Sequence, residues 1–323
     1  MQIFLWGGFL LLVVIFLAID LGVFNKKAHS VSAKEALTWT GVWVALALAF
    51  GAFVYYLYET NWMKLLPQDN ELLGDGKGAL LNYYTGYLIE KSLSLDNIFV
   101  MAMVFSFFRI PTKYQHDILF WGILGAVVFR GIMILAGAAL IEQFYWMNYV
   151  FGLLLLYSAV QMALAKEEES DLMQNPVVRF IHRFYPISQS TEGGKFFVVE
   201  NGKKAVTILF VALMIIETTD ILFAIDSIPA IFAITTDPFL VFTSNIFAIL
   251  GLRSLYFVLA DFMDRFRYLK ISLIFILAFV GVKIMLAHHY HIPTVVSLSM
   301  IIGMLTVGIA ASVVANRNQK KTN

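Results

Sequence analysis

The 323-residue chain has no cysteine. That absence removes disulfides, thiolate metal sites, iron–sulfur clusters and cysteine nucleophiles together. Charge is scarce as well. Asp, Glu, Lys and Arg make up 14% of the residues, against about 25% in soluble chains, so there is too little polar surface to face water on all sides. A net charge of +1 gives no broad electrostatic reason to bind nucleic acid. What stands in place of charge is apolar: 60% of residues are hydrophobic, and the mean hydropathy is +0.78. The chain reads as a polytopic membrane protein.

About 20 apolar residues cross some 30 Å of hydrocarbon. Nine runs reach that length, near 3–24, 36–58, 80–108, 118–141, 145–165, 205–234, 239–260, 271–288 and 294–315. Their even apolarity predicts helices, because barrel strands alternate. The first run has no basic residue before it and no small-residue cleavage site, and Lys26 and Lys27 follow it; it is expected to stay as a span. With the N-terminus outside, seventeen of the 23 Lys and Arg fall in inner loops, only Lys64 and Lys77 fall outside, and four lie within spans. The positive-inside rule therefore predicts an outer N-terminus and a cytoplasmic C-terminus. The one sizeable polar segment, 166–204, begins KEEES and is expected inside, too short for a core of its own.

Spans three to five and six to eight repeat one pattern. GYLIEKSLSLDNIF and ETTDILFAIDSIPAIF superpose at a shift of 130, which brings Glu90 onto Asp220, Asp96 onto Asp226 and Asn97 onto Ser227. Arg130 meets Arg253 at a shift of 123, and QMALAK from 161 meets KIMLAH from 283 at 122. Three spans per unit is odd, so the second unit, 205–288, enters the membrane inverted relative to the first, 80–165. Transporters built this way hold substrate near the midplane on discontinuous helices.

Six carboxylates fall within spans: Asp20, Glu90, Asp96, Glu217, Asp220 and Asp226. Each costs roughly 2.5–3.5 kcal/mol at a helix centre, so partners or a purpose are required. Lys91, Arg130, Arg253 and Lys283 are the four cations in reach, expected to pair with the carboxylates or to gate, while Lys91 can instead snorkel. Six charges against four leave two negative, which one divalent cation would balance.

On a continuous helix Glu90, Ser94 and Asn97 share a face, but Asp96 lies about 240° round from Glu90. Convergence of all the carboxylates therefore predicts a break at each Asp-Asn or Asp-Ser pair. Pro229 offers a cause in the second unit, since it frees the Ile225 carbonyl. Carboxylate, amide, hydroxyl and carbonyl oxygens suit Mg²⁺, Ca²⁺ or Mn²⁺, and Met101 or Met103 would tilt the choice to manganese. Asp96 and Asp226 are expected as principal ligands. Glu90, Glu217 and Asp220 would complete the shell or carry protons, and Asn97, Ser227 and the Ile225 carbonyl would be neutral ligands. The histidines at 288, 289 and 291 form either a metal-collecting cluster or an ordinary wet loop.

Glu90 with SLSLDN, TTDILFAIDSIPAIF from 218, TSNIFAILGLRSLYF from 243 and GVKIMLA from 281 resemble the TerC family of integral membrane proteins, most closely its Alx-type branch. The resemblance covers nearly the whole chain. It implies manganese homeostasis, with Mn²⁺ exported from the cytoplasm across the bacterial inner membrane, and a link by name to tellurium resistance. It places the acidic motif on Glu90, Asp96, Glu217, Asp220 and Asp226. The expected protein is an all-α transporter of divalent metal with no organic cofactor, protons as the counter-ion and no enzymatic activity. GxGD, HExxH and GxSxG are absent from the spans, which argues against an intramembrane protease. A scaffold acting through 166–204, or a Ca²⁺ or Mg²⁺ transporter, stays as the alternative.

Overall fold

The computed structural model describes residues 2–24, 33–68, 70–144, 146–164, 172, 175–200, 202–259, 268–287, 289–290 and 292–322. Lys26, Lys27, Asp69, the KEEES stretch at 166–170, Arg265, Arg267, His288 and His291 lie outside the described residues.

Each predicted run is a helix. α1 covers Gln2–Phe24, α2 Ala33–Thr60, α3 Gly76–Phe107, α4 Thr112–Gln143 and α5 Met147–Leu164. After a short helix α6, Pro176–Phe184, come α7 (Ile208–Phe232), α8 (Pro238–Leu250), α9 (Leu252–Leu259), α10 (Leu269–Leu286) and α11 (Thr294–Thr322). Among the described residues six of these are long and apolar enough to span a bilayer, and α8 with α9 adds a seventh as one span bent by 41°. The 32-residue α3 is not among them because Lys77, Glu90, Lys91 and Asp96 dilute its apolarity. It survives in the bundle because Glu90 is buried and Lys91 and Asp96 are half-buried against protein, while Lys77 is exposed in the first turn.

The core is layered by exchange between the stretches 80–165 and 205–288 expected as first and second units. α3 of the first packs on α8 of the second, and α7 of the second packs on α4 of the first. The two third helices, α5 and α10, pack on each other, with Gly152 and Gly281 allowing close approach. Around this, α1 docks by rings: Phe9 lies against Phe50, Phe239, Phe242 and Phe247, with centroids 5.5–6.1 Å apart. Tyr83 and Tyr84 of α3 donate to the Ala47 and Leu48 carbonyls of α2 at 3.1 and 2.8 Å.

Two expectations need correction. α3 and α7 do not break at Asp96 and Asp226; both are helical throughout. Pro229 lies only three residues from the end of α7, so the bond it removes does not divide the helix. The discontinuity falls instead at Gly251, between α8 and α9, where a Cβ would press on Trp43 at 3.0 Å. The segment before α7 is also not a featureless loop. It carries α6 and a three-stranded sheet of β1 (Ile187–Ser188), β2 (Phe197–Glu200) and β3 (Lys203–Thr207), in the order β1-β3-β2. It needs no core of its own because Leu172, Val178, Ile181 and Val206 share one with Val104 and Phe105 of α3 and Leu209 and Ala212 of α7.

Candidate functional site

The centre of the bundle is built where α3 crosses α7. Asn97 of α3 donates to Asp220 of α7 at 2.9 Å, while Glu90 and Ser227 meet one guanidinium nitrogen of Arg130. Gly86 lies against Ile231 further along. Rising positions on α3 thus meet falling positions on α7, so the helices run antiparallel. Each acid stands at the level of the other helix's amide or hydroxyl.

Arg130, from α4, fills the space between them. Its Nε and Nη2 grip Asp220 bidentately, at 3.0 and 2.8 Å. Its Nη1 pairs with Glu90 and reaches Ser227 Oγ at 3.2 Å and Asn245 Oδ1 at 3.4 Å. Asn245 Nδ2 returns a bond of 2.8 Å to the other Glu90 oxygen, and Ser94 Oγ donates to Glu90 at 3.3 Å. Arg130 is 1% exposed and Glu90 0%. Charges so buried are tolerable only when paired and hydrogen-bonded, and here the fork of the guanidinium supplies both.

Glu217 lies one turn before Asp220, close enough to feel its charge, and packs on the bare backbone of Gly125, where a Cβ would strike its carboxylate. Its Oε2, like Asn97 Oδ1, is buried without a hydrogen-bond partner among the described residues. Beside Asn97 and Asp220 is a void of about 10 Å³, walled also by Met101, Ile216 and Thr219. It has room for one water-sized group.

The structure brings part of the expected set together. Glu90, Asn97, Asp220, Ser227 and Arg130 come together, with Glu217 at the edge. Asp96 and Asp226, expected as the principal ligands, do not join them. With both helices intact, a spacing of six turns each to another face. Asp96 is half-buried and feels Lys270 of α10, and Asp226 accepts a 2.6 Å bond from Ser158 of α5. Ile225 is exposed on the outside of the bundle. Met103 likewise faces outward, leaving Met101 as the thioether at the centre. Among the described residues no three His, Asp or Glu side chains gather as a metal set, because the guanidinium stands between the carboxylates.

The remaining cations have separate places. Arg253 pairs with Asp20 of α1, donates to the Asp20 carbonyl at 2.9 Å and sits 3.4 Å from His116 Nδ1. Lys91 does not snorkel; its Nζ donates to the Ala248 carbonyl at 3.0 Å, at the C-terminal end of α8 where the helix dipole favours a cation. Lys283 is buried against a cavity of about 540 Å³ that Asn82, Asn148 and Asp237 also line. Two partners were missed. Asn245 was legible as the most polar residue of TSNIF, a break in an apolar run; Ser158 carried no signal.

Comparison with known proteins agrees with this architecture. Residues 75–321 match the model of the Integral membrane protein TerC family. An uncharacterised membrane protein of Myxococcus xanthus is 49% identical, covering 97% of this chain and 93% of its own. A proposed membrane-bound redox modulator named Alx, from Salmonella typhi, is 46% identical over 98% of this chain and 96% of its own. The Escherichia coli K12 protein of the same name is also 46% identical, over 94% and 92%. No solved structure matches. Matched across its helical bundle and nearly end to end by these relatives, the chain belongs to the TerC family of integral membrane proteins.

Proposed function

We propose that the protein is a secondary transporter that exports a divalent cation, Mn²⁺, from the cytoplasm, through two inverted three-helix units. The observation that carries this reading is the pair Glu90 and Asp220, one acid from each unit, buried face to face about a single guanidinium. A set of carboxylate, amide and hydroxyl oxygens is hard-cation chemistry, and Met101 at the void favours manganese over magnesium or calcium. In the metal-free state Arg130 takes the cation's place. An entering ion draws Asp220 and Glu90 to itself, with Asn97 Oδ1 as a ready neutral ligand, and the guanidinium gives way. Glu217, one turn before Asp220 and with one oxygen that has no hydrogen-bond partner among the described residues, carries the counter-proton. The charge then closes: two carboxylates and Arg130 sum to −1, and Mn²⁺ with the ionised Glu217 returns the site to zero.

In this reading the N-terminus is outside and the C-terminus cytoplasmic, in the bacterial inner membrane. Asp96 and Asp226 are stations on either side of the central pair and not its ligands. The relatives' name suggests redox work, but with no cysteine in the chain a thiol–disulfide relay is not available. A scaffold acting through the segment before α7 has no observation in its favour.

The test is cellular Mn, Mg, Ca and Zn measured by mass spectrometry in cells lacking their main manganese exporter. Empty vector is compared with the wild type, Glu90→Gln and Asp220→Asn at matched expression. A fall in manganese alone, lost in both variants, is expected. No change of any metal from well-inserted protein would sink the proposal.

A further inference from the structure

The segment that enters α7 carries a surface that neither the bundle nor the transport reading uses. α6 buries Val178 and Ile181 on the bundle and leaves Phe180 and Phe184 exposed, with their rings 5.1 Å apart. On its other flank stand Arg179 and Arg183, both exposed. β2 is an edge strand. Its residues at 197 and 199 share one face, and both are largely exposed, Phe197 at 61% and Val199 at 73%. Large apolar side chains on a short edge strand call for a covering.

Height in the membrane says what covers them. Phe197 packs on Phe210 with centroids 4.9 Å apart, and Phe210 is the third residue of α7, a membrane span. The exposed face of β2 therefore lies against the first turn of α7, where that span begins. A groove of about 1090 Å³ runs beside it, and Lys195 and Lys204 line it together with Phe197, Val199 and Phe210. Over 175–207 five Lys and Arg stand against two Glu. Exposed apolar side chains with ammonium groups beside them are the two halves of a phospholipid site, and a positive surface is complementary to anionic headgroups.

We propose that α6 and the β2–β3 hairpin form a foot that binds the anionic phospholipid leaflet where α7 enters the membrane. Lys195 and Lys204 meet the phosphates, and Phe184, Phe197 and Val199 enter the acyl region. The foot fixes the height of α7, and so of Glu217 and Asp220, against the bilayer. This inference does not depend on what the central site transports.

The lack of cysteine makes the test clean, since a single introduced thiol takes the only nitroxide. Phe184→Cys, Val199→Cys and Glu200→Cys are exposed positions, labelled separately on the full chain in phosphatidylglycerol-containing vesicles. Electron paramagnetic resonance then compares relaxation by oxygen, which partitions into lipid, with relaxation by a water-soluble nickel chelate. Labels at 184 and 199 are expected to be oxygen-accessible, and the label at 200 nickel-accessible. With Lys195→Glu and Lys204→Glu together, or in pure phosphatidylcholine, the label at 199 is expected to move toward water. Nickel accessibility at 184 and 199 equal to that at 200 in the anionic vesicles would overturn the proposal and leave the surface to a protein partner. Immersion unchanged by lipid charge and by charge reversal would also overturn it, because the anionic headgroup would then play no part.

Discussion

Arg130 and Arg253 occupy matching places in the two three-helix units, yet they do different work. Arg130 stands at the crossing of α3 and α7 and holds one acid from each unit. Arg253, beyond the bend at Gly251, is equally buried but turns away from that crossing and ties Asp20 of α1 to the bundle. The bend accounts for the difference. A continuous helix keeps the first arginine aimed at the centre, and a 41° break redirects the second to the flank. Two copies of one pattern therefore give one site and one tie, and the centre is left with a single positive charge.

The comparison can be broken hardest at Arg130. Arg130→Ala leaves two buried carboxylates unpaired, and loss of one partner from a buried pair costs about 3–5 kcal/mol. Helicity lost at much lower temperature or denaturant in detergent is expected. Arg253→Ala strands only Asp20, at an end of α1, so a smaller loss is expected, restored in large part by Asp20→Leu with Arg253→Met, since apolar replacement of a whole pair is often neutral. Equal losses at the two arginines would contradict the division of labour. The comparison is sharpened at Gly125, where alanine would force Glu217 aside. A cost of about 1–3 kcal/mol for overpacking is expected, with manganese efflux slowed by more than stability alone explains. Ser158→Ala is the smallest change. It removes one bond to Asp226 and should cost about 1 kcal/mol, with export nearly intact.

The helices were legible because lipid demands long apolar runs; each of the nine runs is helical, with bounds up to seven residues from those expected and with the run at 239–260 divided in two at Gly251. The sheet was not, since its strands are two to five residues long and too short for an alternation to show; α6 had a signal, Val178 and Ile181 three apart behind Asn175 and Pro176, in a segment read for its charge and length alone. At the site, the polar residues that align between the units gather around Arg130, crosswise: Asn97 bonds Asp220, and Glu90 and Ser227 share one guanidinium nitrogen. Asp96 and Asp226 were over-read. Their spacing from Glu90 and Asp220 already put them on another face, and only the assumption that every buried carboxylate must converge called for broken helices. Asn245 shows the opposite failure: it bonds Glu90 and Arg130 from a span with no carboxylate beside it to draw notice.

The tie between Asp20 and Arg253 has a consequence for how the chain is made. The two residues are 233 positions apart, and at about 5–20 residues per second the first helix waits on the order of ten to fifty seconds for its partner to be synthesised. Glu90 meets Arg130 after only 40 residues. During that interval the Asp20 carboxyl must rest at the lipid–water boundary or be shielded by the insertion machinery. The pair therefore closes late in assembly, and a ribosome that stalls before α9 delivers a bundle whose first helix is still unlatched.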